Sequence, residues 1–303
     1  MSLPENSLFI RSHELVIGPK VTGLASNIEP PNARRFFNRV NFSIEKTSTP
    51  DPNKSKISIY NISQESRNFL EQSDLLLFLK AGFQDEISNI FIGDILRREA
   101  SRSGPDVIYT LECGDSEGII SRAHVDIGLG PGATNVQLFN LAAEKLGLTL
   151  GIKKGIVTRV FKNGFSFSGL ASDLLTQQTV NIGLEWSVQD GELRIMPKDE
   201  DDGEEAVVIS PETGLIGFPT KTPDGVKFTS LLNPKLRPGR AVKIESKQFF
   251  GQTGPNANLI ASTSLIESGS IVKVRKATFT GDTREGQWVT EVEAVLPLTG
   301  ASV

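Results

Sequence analysis

Apolar and polar residues alternate one for one through much of the first and last thirds of this chain, a spacing that fits half-buried strands and not helices. Val40, Phe42 and Ile44 alternate with Asn41, Ser43 and Glu45, and Ile57 and Ile59 flank Ser58, with Ile62 beyond Asn61. Residues 90–96 and 107–113 form two more runs, and Ser101-Arg-Ser-Gly-Pro-Asp106 between them has the composition of a hairpin loop. A short helix is predicted from Gln64 to about Glu71, capped by Ser63. Strands are predicted again at 207–209, 226–232, 241–245, 271–280 and 288–296, with Gly281-Asp-Thr-Arg-Glu-Gly286 joining the last two. Residues 249–267, rich in Gly, Asn, Ser and Thr, read as a long exposed loop. The outer thirds echo each other: each has a strand ending near an Asn (Tyr60-Asn61, Leu232-Asn233) and later a long hairpin with a Gly-containing tip. This is a weak duplication signal.

The middle third has a different rhythm. Thr134-Asn-Val-Gln137 is a capping box, and the helix it opens is predicted to run to about Leu146 and to end at Gly147. A second helix is predicted from Gly169 to about Gln178, then a hairpin in which Leu184, Trp186 and Val188 turn at Asp190-Gly191 and return through Leu193 and Ile195. Lys198-Asp-Glu-Asp-Asp-Gly-Glu-Glu205 is predicted to be a linker, because its charges repel. The residues themselves therefore predict a mainly β chain with a central α+β unit.

Composition narrows the function. A length of 303 residues suits two or three domains of about 100–150 residues. Seventeen Phe against two Trp and two Tyr predicts that most rings are core. The net charge is −4 and there is no basic stripe, which argues against a nucleic-acid binder; Arg34, Arg35 and Arg39 read as a solvated loop or interface rim. One cysteine, Cys113, forms no internal disulfide. The first residues lack the regions of a signal peptide. The longest aliphatic run, five residues from Leu75 to Leu79, falls far short of the roughly 20 a membrane span needs, so no membrane anchor is expected.

The chemical motifs in the chain are incomplete. Gly128-Leu-Gly-Pro-Gly-Ala133 fits a loose dinucleotide pattern, but Pro131 stiffens it and the downstream acidic residue is missing. Gly164-Phe-Ser-Phe-Ser168 lacks the second glycine of a nucleophile elbow and reads as a strand. His13, in a first segment expected to be flexible, and His124 have no partners at metal spacing, and Cys113 reads as a core residue. Glu291 and Glu293 share a strand face and are the best pair for glycan hydrolysis, but no cluster of sugar-stacking Trp or Tyr supports them. The expectation is a chain that is not an enzyme, with no metal and no cofactor.

Particular stretches carry a family resemblance. Ser55-Lys-Ile-Ser-Ile-Tyr-Asn-Ile-Ser63 resembles the strand-and-turn element near the start of phage tail baseplate hub proteins. Pro211-Glu-Thr-Gly-Leu-Ile-Gly217, the strand to Leu232, Asn233-Pro-Lys-Leu-Arg-Pro-Gly-Arg240 and Val242-Lys-Ile-Glu245 resemble the second barrel of that family. Gly281-Asp-Thr-Arg-Glu-Gly-Gln-Trp-Val-Thr-Glu-Val-Glu293 is similar to its closing hairpin. The resemblance covers most of the chain and is strongest from Pro211 onward.

It implies two tail-tube-like β-barrels, residues 1–116 and 204–303, flanking a central α+β insert, residues 117–203. It implies a homotrimer that joins a sixfold tail tube to a threefold spike and lines a DNA channel. The implied partners are the tail tube, spike, tape-measure and baseplate wedge proteins, with DNA passing without specific binding. The implied location is the baseplate of a virion tail, after synthesis in the host cytoplasm. With a charge of −4 on each copy, an acidic or neutral channel face is expected. Since strand edges and long hairpins make interfaces, Asp94, Arg97, Arg98 and Arg102 on one hairpin and Asp282, Arg284 and Glu285 on the other are expected to face the tube. Phe249 and Phe250, at the start of the long loop, are expected to meet neighbouring subunits or the spike. The competing readings are a tail-tube or distal-tail ring protein, a cell-wall glycan hydrolase using Glu291 and Glu293, and a carbohydrate-binding β-module, which the scarcity of Trp and Tyr disfavours.

Overall fold

The computed structural model describes residues 10–20, 28–84, 86–115, 122–152, 156–250 and 266–296. The first third holds β1 (Arg11–Pro19), β2 (Arg34–Phe36), β3 (Val40–Thr47), β4 (Lys54–Tyr60), α1 (Gln64–Leu70), β5 (Leu75–Phe83), β6 (Glu86–Ser103) and β7 (Asp106–Gly114). The middle holds β8 (His124–Leu129), β9 (Ala133–Thr134), α2 (Asn135–Leu146), β10 (Thr149–Ile152), β11 (Val160–Phe161), β12 (Phe165–Leu170), α3 (Ala171–Val180), β13 (Leu184–Gln189) and β14 (Glu192–Pro197). The last third holds β15 (Val207–Ile209), β16 (Leu215–Thr222), β17 (Gly225–Leu231), β18 (Ala241–Ile244), β19 (Ser270–Asp282) and β20 (Trp288–Val295).

The outer thirds share one sheet. Its order is β16-β17-β20-β19-β3-β4-β7-β6-β5-β1-β2, with β18 also on β19 and β15 on β18. No pairing among the described strands closes this sheet into a barrel, and β3 pairs with β19, so one continuous sheet joins the two outer thirds. The expected duplication is visible in its topology. The run β16-β17-β20-β19 repeats as β3-β4-β7-β6, all antiparallel, with a β-bulge in each long strand, between Val274 and Lys276 in β19 and between Ile95 and Arg97 in β6. The first part of each long strand pairs inside its own unit, with β18 or β5. The second part of β19 pairs with β3, whereas no described strand pairs with the open side of residues 97–103.

Alternation explains the packing. Phe42, Ile44, Ile57, Ile59, Leu111, Phe228, Phe279 and Val292 turn inward, and one core spans both outer thirds. Each such side chain contributes about 1.5–3 kcal/mol by leaving water. The Leu75–Leu79 run is continuous because β5 is buried on both faces: Leu75, Leu77 and Leu79 face the main core, and Leu76 and Phe78 pack with Val16 and Ile92. At the β3–β19 seam Phe42 and Trp288 meet edge to face, centroids 5.3 Å apart. Gly281 makes this contact feasible, since a Cβ there would lie 2.3 Å from the Phe42 ring.

The middle unit has its own core, with Leu138, Phe139, Leu174, Trp186 and Ile195. The Thr134 capping box and the left-handed Gly147 bound α2 where the sequence predicts. Helix α3 starts two residues later than predicted, because Gly169 and Leu170 are held extended against Val125 and His124 of β8. Likewise β6 extends to Ser103 through pairing with β7, leaving only Gly104 and Pro105 at the tip. His13 is not in a flexible segment; it pairs opposite Ala81 in β1, and burial lowers its pKa. Most of the predicted 249–267 loop lies outside the described residues.

Candidate assembly surfaces

Three buried polar contacts join the middle unit to one end of the sheet. The β13–β14 turn, Asp190-Gly191, has φ of 55° and 77°, as a two-residue hairpin requires. The Asp190 carboxylate accepts from Lys46 Nζ at 2.5 and 2.7 Å and from the Ile92 N–H at 3.1 Å. The Asp190 N–H donates to Asp115 Oδ2 at 2.7 Å, and Asn53 Nδ2 lies 3.3 Å from the same oxygen and 3.0 Å from Gln189 Oε1. Lys46 and Asp115 are 2% and 1% exposed. Burial, then the Asp190 charge, push the Asp115 carboxyl up to about 6 against the pull of Lys46 and the hydrogen bonds.

The second contact is Lys273, 3% exposed, which donates to Glu185 at 2.6 Å and to the carbonyls of Pro197 and Lys198. Burial pushes the Glu185 carboxyl up, and Lys273 opposes it. The third corrects the linker expectation. Asp202 is buried 3.6 Å from Arg240 and 3.9 Å from Arg237, and its N–H donates to Gly239. Two arginines thus neutralise part of a run that on its own would repel.

Turns gather at the opposite end of the sheet. Asn61 donates to Asp106 at 2.7 Å, Asn38 to the Tyr60 carbonyl at 3.0 Å, and Arg39 pairs with Asp282 at 2.8 Å and Glu285 at 2.6 Å. A cleft of about 380 Å³ lies among Phe37, Asn38, Arg39, Tyr60, Asn61, Asp106 and Arg284. Phe37 is 88% exposed beside it.

The outward face of the sheet is polar and its charges alternate across strands. Lys227 pairs with Glu293 and Lys276 with Glu45, each at 2.7 Å, and Arg97 lies 3.8 Å from Glu112. The candidate hydrolytic pair falls here: Glu293 is held by Lys227, and Glu291 sits opposite Thr229 and Thr278. On the β8–β12 ribbon Ser168 donates to Asp126 Oδ1 at 2.6 Å, and His124 Nδ1 lies 4.0 Å from the same oxygen. Among the described residues no three metal-ligating side chains converge, and no helix is long and apolar enough to cross a membrane.

The family model for baseplate hub gp41 matches residues 38–248. The chain belongs to the baseplate hub gp41 family. This family is a structural component of phage tails. No curated protein sequence matches. Among solved structures, the 43 kDa tail protein of prophage MuSo2 from Shewanella oneidensis is similar at a TM-score of 0.58 and 8% identity, over 94% of this chain and 97% of that one. The tail protein from Neisseria meningitidis MC58 is similar at 0.57 and 10%, over 93% and 96%. The E. coli c3393 protein, a type VI secretion system component with structural similarity to the T4 tail proteins gp27 and gp5, is similar at 0.52 and 10%, over 86% and 74%. At these identities the likeness is one of fold.

Within this hub fold the sequence-predicted residues divide. Arg284 and Glu285 lie exposed at the free end, and Arg102 is exposed near the neighbouring hairpin tip. Arg97 is exposed on the outward face; Arg98 donates to the Gln72 carbonyl, and Asp94 pairs with Lys20 at 3.1 Å. Asp282, expected at the tube-facing tip, is buried, because it caps its own turn and holds Arg39. Burial alone would push the Asp282 carboxyl up; Arg39 and the N–H groups of Arg284 and Glu285 outweigh it and hold it at about 2. Its folded pKa lies below the ordinary 3.8, so its contribution is full above pH about 4 and is lost as pH falls toward about 2. Asp282→Asn should therefore flatten the acid limb of a denaturation-midpoint profile, the two curves converging near pH about 2.

Phe249 packs partly on the core, and Phe250 is 54% exposed against Phe218, with centroids 5.3 Å apart. Sequence reading missed Phe37 and Phe218. The signal for the first was present: in Phe36-Phe37 alternation lets only one ring face the core, and Phe36 takes that place.

Proposed function

We propose that this chain is a trimeric baseplate hub that joins the sixfold tail tube to the threefold spike and lines the DNA channel. The observation that carries this is the repeated four-strand run. Lys276 stands opposite Glu293 as Arg97 stands opposite Glu112, and Gly281 opposite Trp288 as Arg102 opposite Val107. The β19–β3 seam within one chain then supplies the pattern for a seam between chains, with residues 97–103 of one copy on β16 of the next. Heterologous contacts of this kind close into a ring when the rotation allows, and three copies present six equivalent units. In this reading residues 1–116 and 204–303 are the tail-tube-like barrels and 117–203 the insert that turns toward the spike. The free end, with Phe37, Arg102, Arg284 and Glu285, meets the tail tube. A tube or distal-tail protein needs only one such unit, and the tandem favours the hub.

The outward sheet face lines the channel. Its paired Lys and Glu leave little net field to hold a polyanion. Glu45→Lys with Glu293→Lys makes that face basic in every copy. Particles carrying the double variant should assemble but release DNA several-fold more slowly, with the delay relieved by salt. Unchanged release kinetics would count against the channel assignment.

A further inference from the structure

The outer edge of β16 has a second claimant inside the same chain. Thr220 forms an isolated parallel bridge with Phe250. The Phe250 N–H donates to the Pro219 carbonyl at 2.9 Å, and the Lys221 N–H donates to the Phe250 carbonyl at 2.7 Å. The Phe218 and Phe250 rings meet edge to face across this bridge. Phe249 anchors the segment by packing on the core, and Lys221 Nζ lies 5.9 Å from its ring centroid. Upstream, Ser246 bonds the Gln248 carbonyl at 2.8 Å and holds the approach in a tight turn.

The repeat shows what this position does elsewhere. Thr220 stands opposite Lys227 as Ser43 stands opposite Lys56, so residues 220–222 of β16 correspond to 43–45 of β3. Residues 43–45 are paired along their outer side by 278–280 of β19. In β16 the same side is held by Phe250. An open strand edge templates unwanted pairing, and covering it is a common remedy.

We infer that Phe250 is a displaceable guard on the β16 edge, occupying in the lone chain the backbone sites that residues 97–103 of a second copy take in the assembly. This rests on the seam reading above. The guard contributes two backbone hydrogen bonds and one ring contact, and the incoming strand offers a longer ladder. The exchange slows association of lone chains and favours the closed ring once the strand is seated.

The test is the rate of trimer formation after dilution from mild denaturant, followed by light scattering on the full chain. Phe250→Pro removes the N–H that bonds Pro219, and Phe250→Ala removes the ring contact while keeping the backbone. Each variant should form trimers faster than wild type, Phe250→Pro by about tenfold, which is what one net hydrogen bond is worth. Rates equal to or slower than wild type in both would overturn the guard. Ser101→Pro and Ala100→Pro, in the open part of β6, separate the two failures. If both still form normal trimers, the seam reading is wrong; if either blocks the trimer and the Phe250 variants are unchanged, only the guard is wrong.

Discussion

Lys46→Met is expected to lower the unfolding free energy by about 3–5 kcal/mol, the range for removing one partner from a buried ion pair. Lys46 is nearly inaccessible, and its ammonium is shared by the two oxygens of Asp190, which in turn bonds Asp115 through its own N–H. Without it two acidic side chains face each other in a buried site. The double variant Lys46→Met/Asp190→Asn should recover a large part of the loss, because no uncompensated charge is introduced at residue 190 and Asn tolerates the left-handed backbone. Urea denaturation of the three proteins measures this directly. A single-variant loss below about 1 kcal/mol would mean that water enters the joint and screens the acids.

The second large effect is on assembly. Successive N–H groups of an extended strand point to opposite sides. Of Ala100→Pro and Ser101→Pro, one therefore strikes the β7 side and the other the open side of β6. The variant on the open side should weaken self-association on the order of 100-fold or more, through lost ladder bonds and a ring where a neighbour must approach. Its lone-chain circular dichroism should match wild type. Phe37→Asp, at the free end, should leave the trimer intact and weaken binding to tail tube protein. Equal trimer affinity in both proline variants would remove residues 97–103 from the interface.

Local signals were legible and distant ones were not. Alternation at Val40–Ile44 placed β3, the Thr134 box and Gly147 bounded α2, and Asp190-Gly191 marked its hairpin, because each rests on neighbours in sequence. The β3–β19 seam joins residues more than 200 positions apart, and periodicity carries no information about such partners. The burial of Lys46, Lys273 and Asp202 depends on counter-charges from other units, so no local pattern announces it. Asp282 read as a tip residue for the same reason. The duplication was faint in sequence because it lies mainly in strand order and bulge position, with only scattered side-chain matches such as Lys276–Glu293 and Arg97–Glu112.

The proposed assembly is a closed ring of three copies whose channel is lined by the outward sheet face. Electron microscopy of the purified full chain, with its mass in solution measured in parallel, tests it most directly. The expected result is a threefold particle with six equivalent lobes, continuous sheet density from β6 of one copy to β16 of the next, and Lys227, Glu293, Lys276 and Glu45 facing the lumen. A hexamer of single-lobed contacts, or a trimer with that face turned outward, would contradict it.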